Sequence, residues 1–179
     1  MALTIDPAFS LAWRLSLALL LAAAATQKLR DLGAFREALA AYRLVPERAS
    51  GVAAAALVAA EIESACALVL FPEFGGLAAA ALLALYSLAI GVNLARGRRE
   101  IDCGCFGPAL RQPLSLALVA RNAVLIALAG ACALPVVPRA LGPLDAFTIA
   151  AGVALGALVH GAVNGLIANA PRLRALRDA

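Results

Sequence analysis

Charge is scarce in this sequence. Of its 179 residues only 15% are Asp, Glu, Lys or Arg, against 64% hydrophobic, and the mean hydropathy is +0.92. A soluble domain of this length needs far more polar surface than that, whereas a lipid-facing surface needs none. No nucleic-acid partner is expected. Histidine is scarcer still, with His160 alone beside four cysteines, so a closed tetrahedral zinc site, which takes four ligands, has little to draw on and no metal site is expected.

Long apolar runs fill the rest. Crossing about 30 Å of hydrocarbon takes roughly 20 residues of helix, and five runs qualify, at about 9–26, 51–71, 75–95, 114–137 and 144–168. The breaks are chemically marked by Pro72 with Gly75 and Gly76, by Pro108 and Pro113, and by Pro135, Pro138 and Pro143. The first run resembles a signal peptide at Ala23-Ala24-Ala25, but its flank carries only Arg14 as a cation and also Asp6, so a retained helix is expected. Between the first two runs, Phe35, Leu39 and Tyr42 share one helical face, with Arg36, Glu37 and Arg43 elsewhere on the wheel. This segment reads as an amphipathic interfacial helix, either a plain cap on the bundle or a lid over a functional loop. The expected fold is all-α: one polytopic membrane domain over 1–179, a four-helix bundle plus a fifth transmembrane helix.

The densest chemistry is Asp102-Cys103-Gly104-Cys105-Phe106-Gly107, two thiols one glycine apart in a polar loop after Arg96, Arg98 and Arg99. Nearby cations lower thiol pKa values and raise the thiolate fraction. Residues i and i+2 can be bridged only where the backbone bends, which Gly104 permits, and a strained bridge of this kind is an oxidant rather than a staple. Cys103 and Cys105 are the candidate catalytic pair, with Asp102, Gly104, Phe106, Arg98 and Arg99 supporting. Cys103, nearer the arginines, is the expected site of first attack. The competing reading is a soft-metal binding or transfer protein in which the same thiols hold an ion such as Cu(I). Cys66 and Cys132, within apolar runs, read as small hydrophobes.

Ionisable groups in lipid are costly and mark pairing or function. Glu61 and Glu63 point about 200° apart on a helix, so one at most faces the interior. Glu61 is the deeper, and Arg121 in the fourth run is its expected partner, as a structural clamp or as a proton-handling carboxylate. His160 and Asn164 lie one turn apart in the fifth run and are the candidate contacts for a quinone. Gly152/Gly156 and Gly161/Gly165 permit close helix approach.

Several of these positions recur together in a known family. Asp102 to Gly107, Arg98-Arg99-Glu100-Ile101, Lys28-Leu29-Arg30-Asp31, Phe35, Tyr42 with Pro46, and Arg121-Asn122 together resemble the methylamine-utilisation MauE family, grouped with DoxX-like redox-associated membrane proteins. The resemblance spans about residues 17–130. It implies a multi-pass protein of the bacterial inner membrane that supports disulfide formation or maturation of an exported client, the small subunit of methylamine dehydrogenase, beside a thioredoxin-like partner of the MauD type. The layout is also similar to the vitamin K epoxide reductase family, with its thiol pair at the start of a fourth helix and a lid helix between the first two. Here the pair is Cys-x-Cys, and no cysteine lies between the first two runs to relay electrons. Electrons would then pass directly between Cys103/Cys105 and a partner protein or quinone. Whether such a protein is a thiol–disulfide oxidoreductase or an assembly factor stays open.

Orientation is contested by two arguments. With five spans, twelve of the fifteen Lys and Arg fall on the side of the cysteine loop, which the positive-inside rule assigns to the cytoplasm. Cytosolic thiols are kept reduced, and the family's client is periplasmic, so the loop is expected on the periplasmic face.

Overall fold

Asp6 and Pro7 start the first helix: the Asp6 carboxylate accepts from the Ala8 amide at 2.8 Å, and proline suits the first turn, where no amide partner is needed. In this computed structural model, which describes residues 4–104 and 112–177, α1 runs Pro7–Arg30, α2 Leu32–Ala41, α3 Ser50–Leu70, α4 Pro72–Ala95, α5 Leu116–Ala131 and α6 Pro143–Arg177. A short 3-10 turn, Glu47–Ala49, leads into α3. Among the described residues there is no strand, only the isolated bridges Ile5–Val136 and Asp102–Pro113. The protein is an all-α, multi-pass membrane protein, as its composition requires.

Neighbours in the bundle follow from two glycines and one arginine. Phe71 and Pro72 turn α3 straight into α4, and Gly75 sits so close to α3 that a Cβ there would lie 2.2 Å from the Leu68 amide nitrogen. A Cβ on Gly76 would lie 2.6 Å from the Ala129 carbonyl oxygen of α5. The sequence reads these glycines as a break, whereas they lie inside α4 and let three helices converge. Arg14 of α1 donates to the Leu68 and Val69 carbonyls at 3.1 Å each, satisfying the acceptors left open at the end of α3. Leu17, Leu21, Leu68, Leu82 and Ala129 form the core between α1, α3, α4 and α5. Helix α6 lies outside this bundle against α1, its Gly152 and Gly156 facing Ala12 and Ser16 at 3.2 and 3.1 Å from an added Cβ.

Two boundaries differ from the sequence reading. Helix α1 continues a full turn past residue 26, to Arg30. Helix α5 has 16 residues instead of the 24 of run 114–137; it ends at Ala131, the chain turns at Cys132 and Ala133, and Pro135 disfavours a helical residue before it. Four helices are long and apolar enough to cross a membrane, and α5 is a shorter apolar helix of about 24 Å. At the end of the bundle away from α2, Arg139 bridges Asp6 at 2.8 and 2.9 Å and Asp145 at 2.7 Å, tying the start of α1 to the start of α6. The Arg139 hydrogen bonds, with the Ala8 amide, hold the Asp6 carboxyl below its usual range.

Candidate thiol–disulfide site

The cysteine loop is closed at its base by main-chain and side-chain hydrogen bonds. The Cys103 amide donates to the Gln112 carbonyl at 2.9 Å, and the Leu114 amide to the Ile101 carbonyl at 3.1 Å. Asp102 Oδ1 accepts from the Gly104 and Gln112 amides at 3.2 and 3.1 Å, so Asp102 shapes the loop. Cys103 is engaged in a disulfide, whereas Cys66 and Cys132 are free thiols. Cys105 and Phe106 lie outside the described residues. Cys132 is buried as expected; Cys66 is exposed on the outer face of α3. Among the described residues no three of His, Cys, Asp and Glu gather as a metal-ligand set.

Helix α2 lies over this loop. Gly104 has φ +71°, a backbone region that disfavours side chains, and a Cβ there would lie 3.2 Å from the Ala38 Cβ and 3.5 Å from the Phe35 ring. Glycine is therefore favoured both by the backbone and by the lid. The Tyr42 hydroxyl donates to the Cys103 carbonyl at 3.3 Å, and burial, with Asp102 nearby, pushes its pKa up so that it keeps its proton. Arg98 donates to the Ala41 and Tyr42 carbonyls at 2.8 and 3.3 Å and to Asn93 Oδ1 at 3.1 Å. Its guanidinium closes the end of α2 against the end of α4, and Arg99 contributes its carbonyl to the Leu114 amide at 3.1 Å. Cys103 itself is only 8% exposed, packed with Tyr42, Ile90, Leu114 and Leu118. Such burial is at odds with Cys103 as the sulfur first attacked, because an incoming protein thiolate needs access.

The expected Glu61–Arg121 pair is not formed. Glu61 is paired with Lys28, and it accepts from the Tyr86 hydroxyl at 2.9 Å. Arg121 instead donates to Asn164 Oδ1 and to Asn122 Oδ1, the latter at 3.0 Å. The reason is helix order: α3 packs between α1 and α4, whereas α5 packs on the far side of α4. Lys28 reads in the sequence as a loop cation because the apolar run ends before it. Its signal is there in the spacing, since Leu21, Ala24, Ala25 and Lys28 fall on one helical face and all four are buried. The Lys28 ammonium also lies 5.0 Å from the Phe35 ring centre and 5.1 Å from that of Tyr86, both within cation–π range.

Three hollows surround these groups. An inner cavity of about 410 Å³ beneath α2 is lined by Lys28, Phe35, Tyr42, Tyr86 and Cys103, among others. An outer cleft of about 430 Å³ is lined by Lys28, Asp31, Glu37, Glu100, Asp102 and Gly104, among others. A groove of about 700 Å³ between α1, α5 and α6 includes Trp13, Ser16, Leu125, His160 and Asn164. Gln112 links this groove to the cysteine loop, because its side-chain amide donates to the Asn164 carbonyl at 3.1 Å while its own carbonyl receives the Cys103 amide.

Residues 6–135 match the family described as "Methylamine utilisation protein MauE". The chain belongs to the MauE family. It is 45% identical over 131 residues to the methylamine utilization protein MauE of Paracoccus denitrificans, covering 72% of this chain and 70% of that one. It is 42% identical over 167 residues to the MauE protein of Methylorubrum extorquens, covering 90% and 89% respectively. The MauE protein of Paracoccus versutus is 41% identical over 157 residues, covering 86% and 83%. No solved structure matches the chain. The family model takes in the bundle, α2 and the cysteine loop, all within 6–135, and the alignments with the Methylorubrum extorquens and Paracoccus versutus proteins reach into α6 as well.

Proposed function

We propose that this protein is a membrane component of methylamine utilisation that carries a thiol–disulfide exchange site, Cys103 with Cys105, and serves the maturation of an exported disulfide-containing client beside a thioredoxin-like partner of the MauD type. The observation that carries the reading is that Cys103 is bridged while Cys66 and Cys132 are free thiols. The family's name supports the pathway, and the three relatives described above share it. In the exchange, a partner thiolate attacks Cys105, forming a mixed disulfide and expelling the buried Cys103 sulfur as thiolate. The partner's second thiol then attacks the mixed disulfide and releases Cys105, so the partner leaves oxidised and the protein is left as a dithiol.

The groove between α1, α5 and α6 fits a lipid-soluble quinone. Its walls are apolar, and it presents the Asn164 side-chain amide and the Trp13 indole N–H, buried donors with no hydrogen-bond partner among the described residues. Asn164 and Trp13, with His160 beside them, would hold the carbonyl end, and the bound group would supply a two-electron acceptor. The reading places the protein in the bacterial inner membrane with the cysteine loop on the periplasmic face.

The test is trapping. A Cys103→Ser variant, expressed in a host that makes the client, should accumulate a Cys105-linked adduct on a non-reducing gel, because the internal resolving thiol is gone. An adduct from Cys105→Ser alone reverses the two roles. If neither variant traps an adduct and both mature the client, the exchange reading fails. Labelling of the reduced pair by an impermeant maleimide in lysed cells but not in intact ones overturns the periplasmic placement.

A further inference from the structure

We infer that Lys28 is the proton source for the Cys103 sulfur when its disulfide opens; the inference rests on the exchange reading above. A lysine within a membrane helix, with its side chain 2% exposed, is expensive unless paired, and such residues mark function by default. The pairing here is incomplete for a purely structural bridge. Glu61 Oε1 is shared between Lys28 and Tyr86, while Glu61 Oε2, equally buried, has no hydrogen-bond partner among the described residues. The ammonium is held between two aromatic faces, one of which, Phe35, belongs to the lid and also lies against Gly104.

Position supplies the rest of the argument. Lys28 lines both hollows that meet the cysteine loop: the inner cavity, which Cys103 also lines, and the outer cleft, which Asp102 and Gly104 line. A proton given up on the inner side can thus be replaced from the outer. The titratable groups facing Lys28 come from every element around it: Glu61 from α3, Tyr86 from α4, Glu37 from α2, Asp31 at the α1–α2 junction, and Glu100 and Asp102 from the loop. Tyr42 faces the same inner cavity. Arg98 cannot serve in this role because its guanidinium is occupied by the Ala41 and Tyr42 carbonyls and by Asn93.

Attack on Cys105 forms one S–S bond and breaks the Cys105–Cys103 bond, leaving the electron pair on the Cys103 sulfur. That thiolate takes a proton from Lys28 Nζ. The resulting amine is recharged by water in the outer cleft, and the proton lost from the attacking thiol balances it.

The experiment uses the full chain in lipid nanodiscs with Cys66, Cys105 and Cys132 each changed to Ser, so that Cys103 is the single thiol. Its alkylation by iodoacetamide is followed against pH by mass spectrometry. Lys28→Met, which removes the cation and leaves the Glu61 carboxylate in place, should slow alkylation at pH 7 about tenfold and move the profile about one unit alkaline, since a neighbouring cation favours the thiolate. Superimposable profiles overturn the proposal. Lys28→Arg, which keeps the cation and tests the point even if Lys28→Met does not fold, should retain the alkylation profile. In an otherwise wild-type chain the same Lys28→Arg should slow single-turnover oxidation of dithiothreitol at least fivefold. Full speed there reduces Lys28 to a bystander charge and overturns its role as proton source. If the wild-type chain does not oxidise dithiothreitol at all, the exchange reading fails, whereas the alkylation profile still reports whether Lys28 faces Cys103.

Discussion

Breaking the Lys28–Glu61 pair from one side should cost far more than removing it whole. Both side chains are almost fully enclosed, at 2% and 1% exposed. Lys28→Met leaves the Glu61 carboxylate with only the Tyr86 hydroxyl, and stranding a buried charge in this way costs about 3–5 kcal/mol. For a chain of this size that corresponds to a loss of roughly 6–20 °C in Tm. Glu61→Leu alone strands the ammonium between Phe35 and Tyr86, whose ring faces return only about 1–2 kcal/mol of the lost attraction. The double replacement removes both charges and fills the space with apolar side chains, so it should fall within about 1–2 kcal/mol of wild type. The assay is a double-mutant cycle on thermal unfolding in detergent, with Arg121→Leu as a control, since Arg121 lies with Asn122 and Asn164 and touches neither partner. Additive effects of Lys28→Met and Glu61→Leu would refute the pairing; strong coupling between Arg121→Leu and Glu61→Leu would refute the helix order that separates them.

Two further outcomes follow from the ends of the bundle. Gly104→Ala should cost about 1–2 kcal/mol from the positive φ alone, and because the new methyl meets Ala38, it should lift α2 and speed proteolysis within 32–41; an unchanged cleavage rate means that α2 does not rest on the loop. At the opposite end, Asp6 holds its proton less readily when folded than unfolded, so its contribution is complete above its ordinary value of 3.8 and is lost as pH falls through the lower folded value. Unfolding midpoints measured at pH 6 and at pH 3 should therefore drop more in wild type than in Arg139→Gln, and equal drops would mean that the Arg139 contact with Asp6 does not persist in solution.

The membrane class, the number of apolar segments and the cysteine loop are legible in the sequence because each rests on local composition. Pro135 and the Phe71-Pro72 step end helices wherever they occur, and Gly104 flanked by two cysteines needs no tertiary context to be noticed. The partner of Glu61 is different in kind. It depends on which helix faces which, and hydropathy says nothing about that in a chain whose lipid-facing and core-facing residues are both Ala, Leu and Val. Lys28 was hidden further by its place at the end of an apolar run, where a cation ordinarily reaches out to the headgroups. Only the length of α1 turns it inward. Gln112 was invisible for the same reason, being a polar loop residue until Asn164 of α6 is brought beside it.

The two cations nearest the cysteine loop divide by reach. Arg98 is short of free donors because it caps α2, and what it does for the cysteines it does through the lid: it fixes Ala41 and Tyr42, and Tyr42 fixes the Cys103 carbonyl. Lys28 approaches from beneath, on a flexible stem, into a cavity that Cys103 lines. A guanidinium spread over several carbonyls is suited to holding a backbone, whereas an ammonium on a carboxylate is suited to exchanging a proton. Arg98, one of the cluster of arginines that makes the loop look primed for thiolate chemistry in the sequence, is therefore better understood as part of the frame of the lid. The cation placed to act on sulfur is the one buried in the bundle.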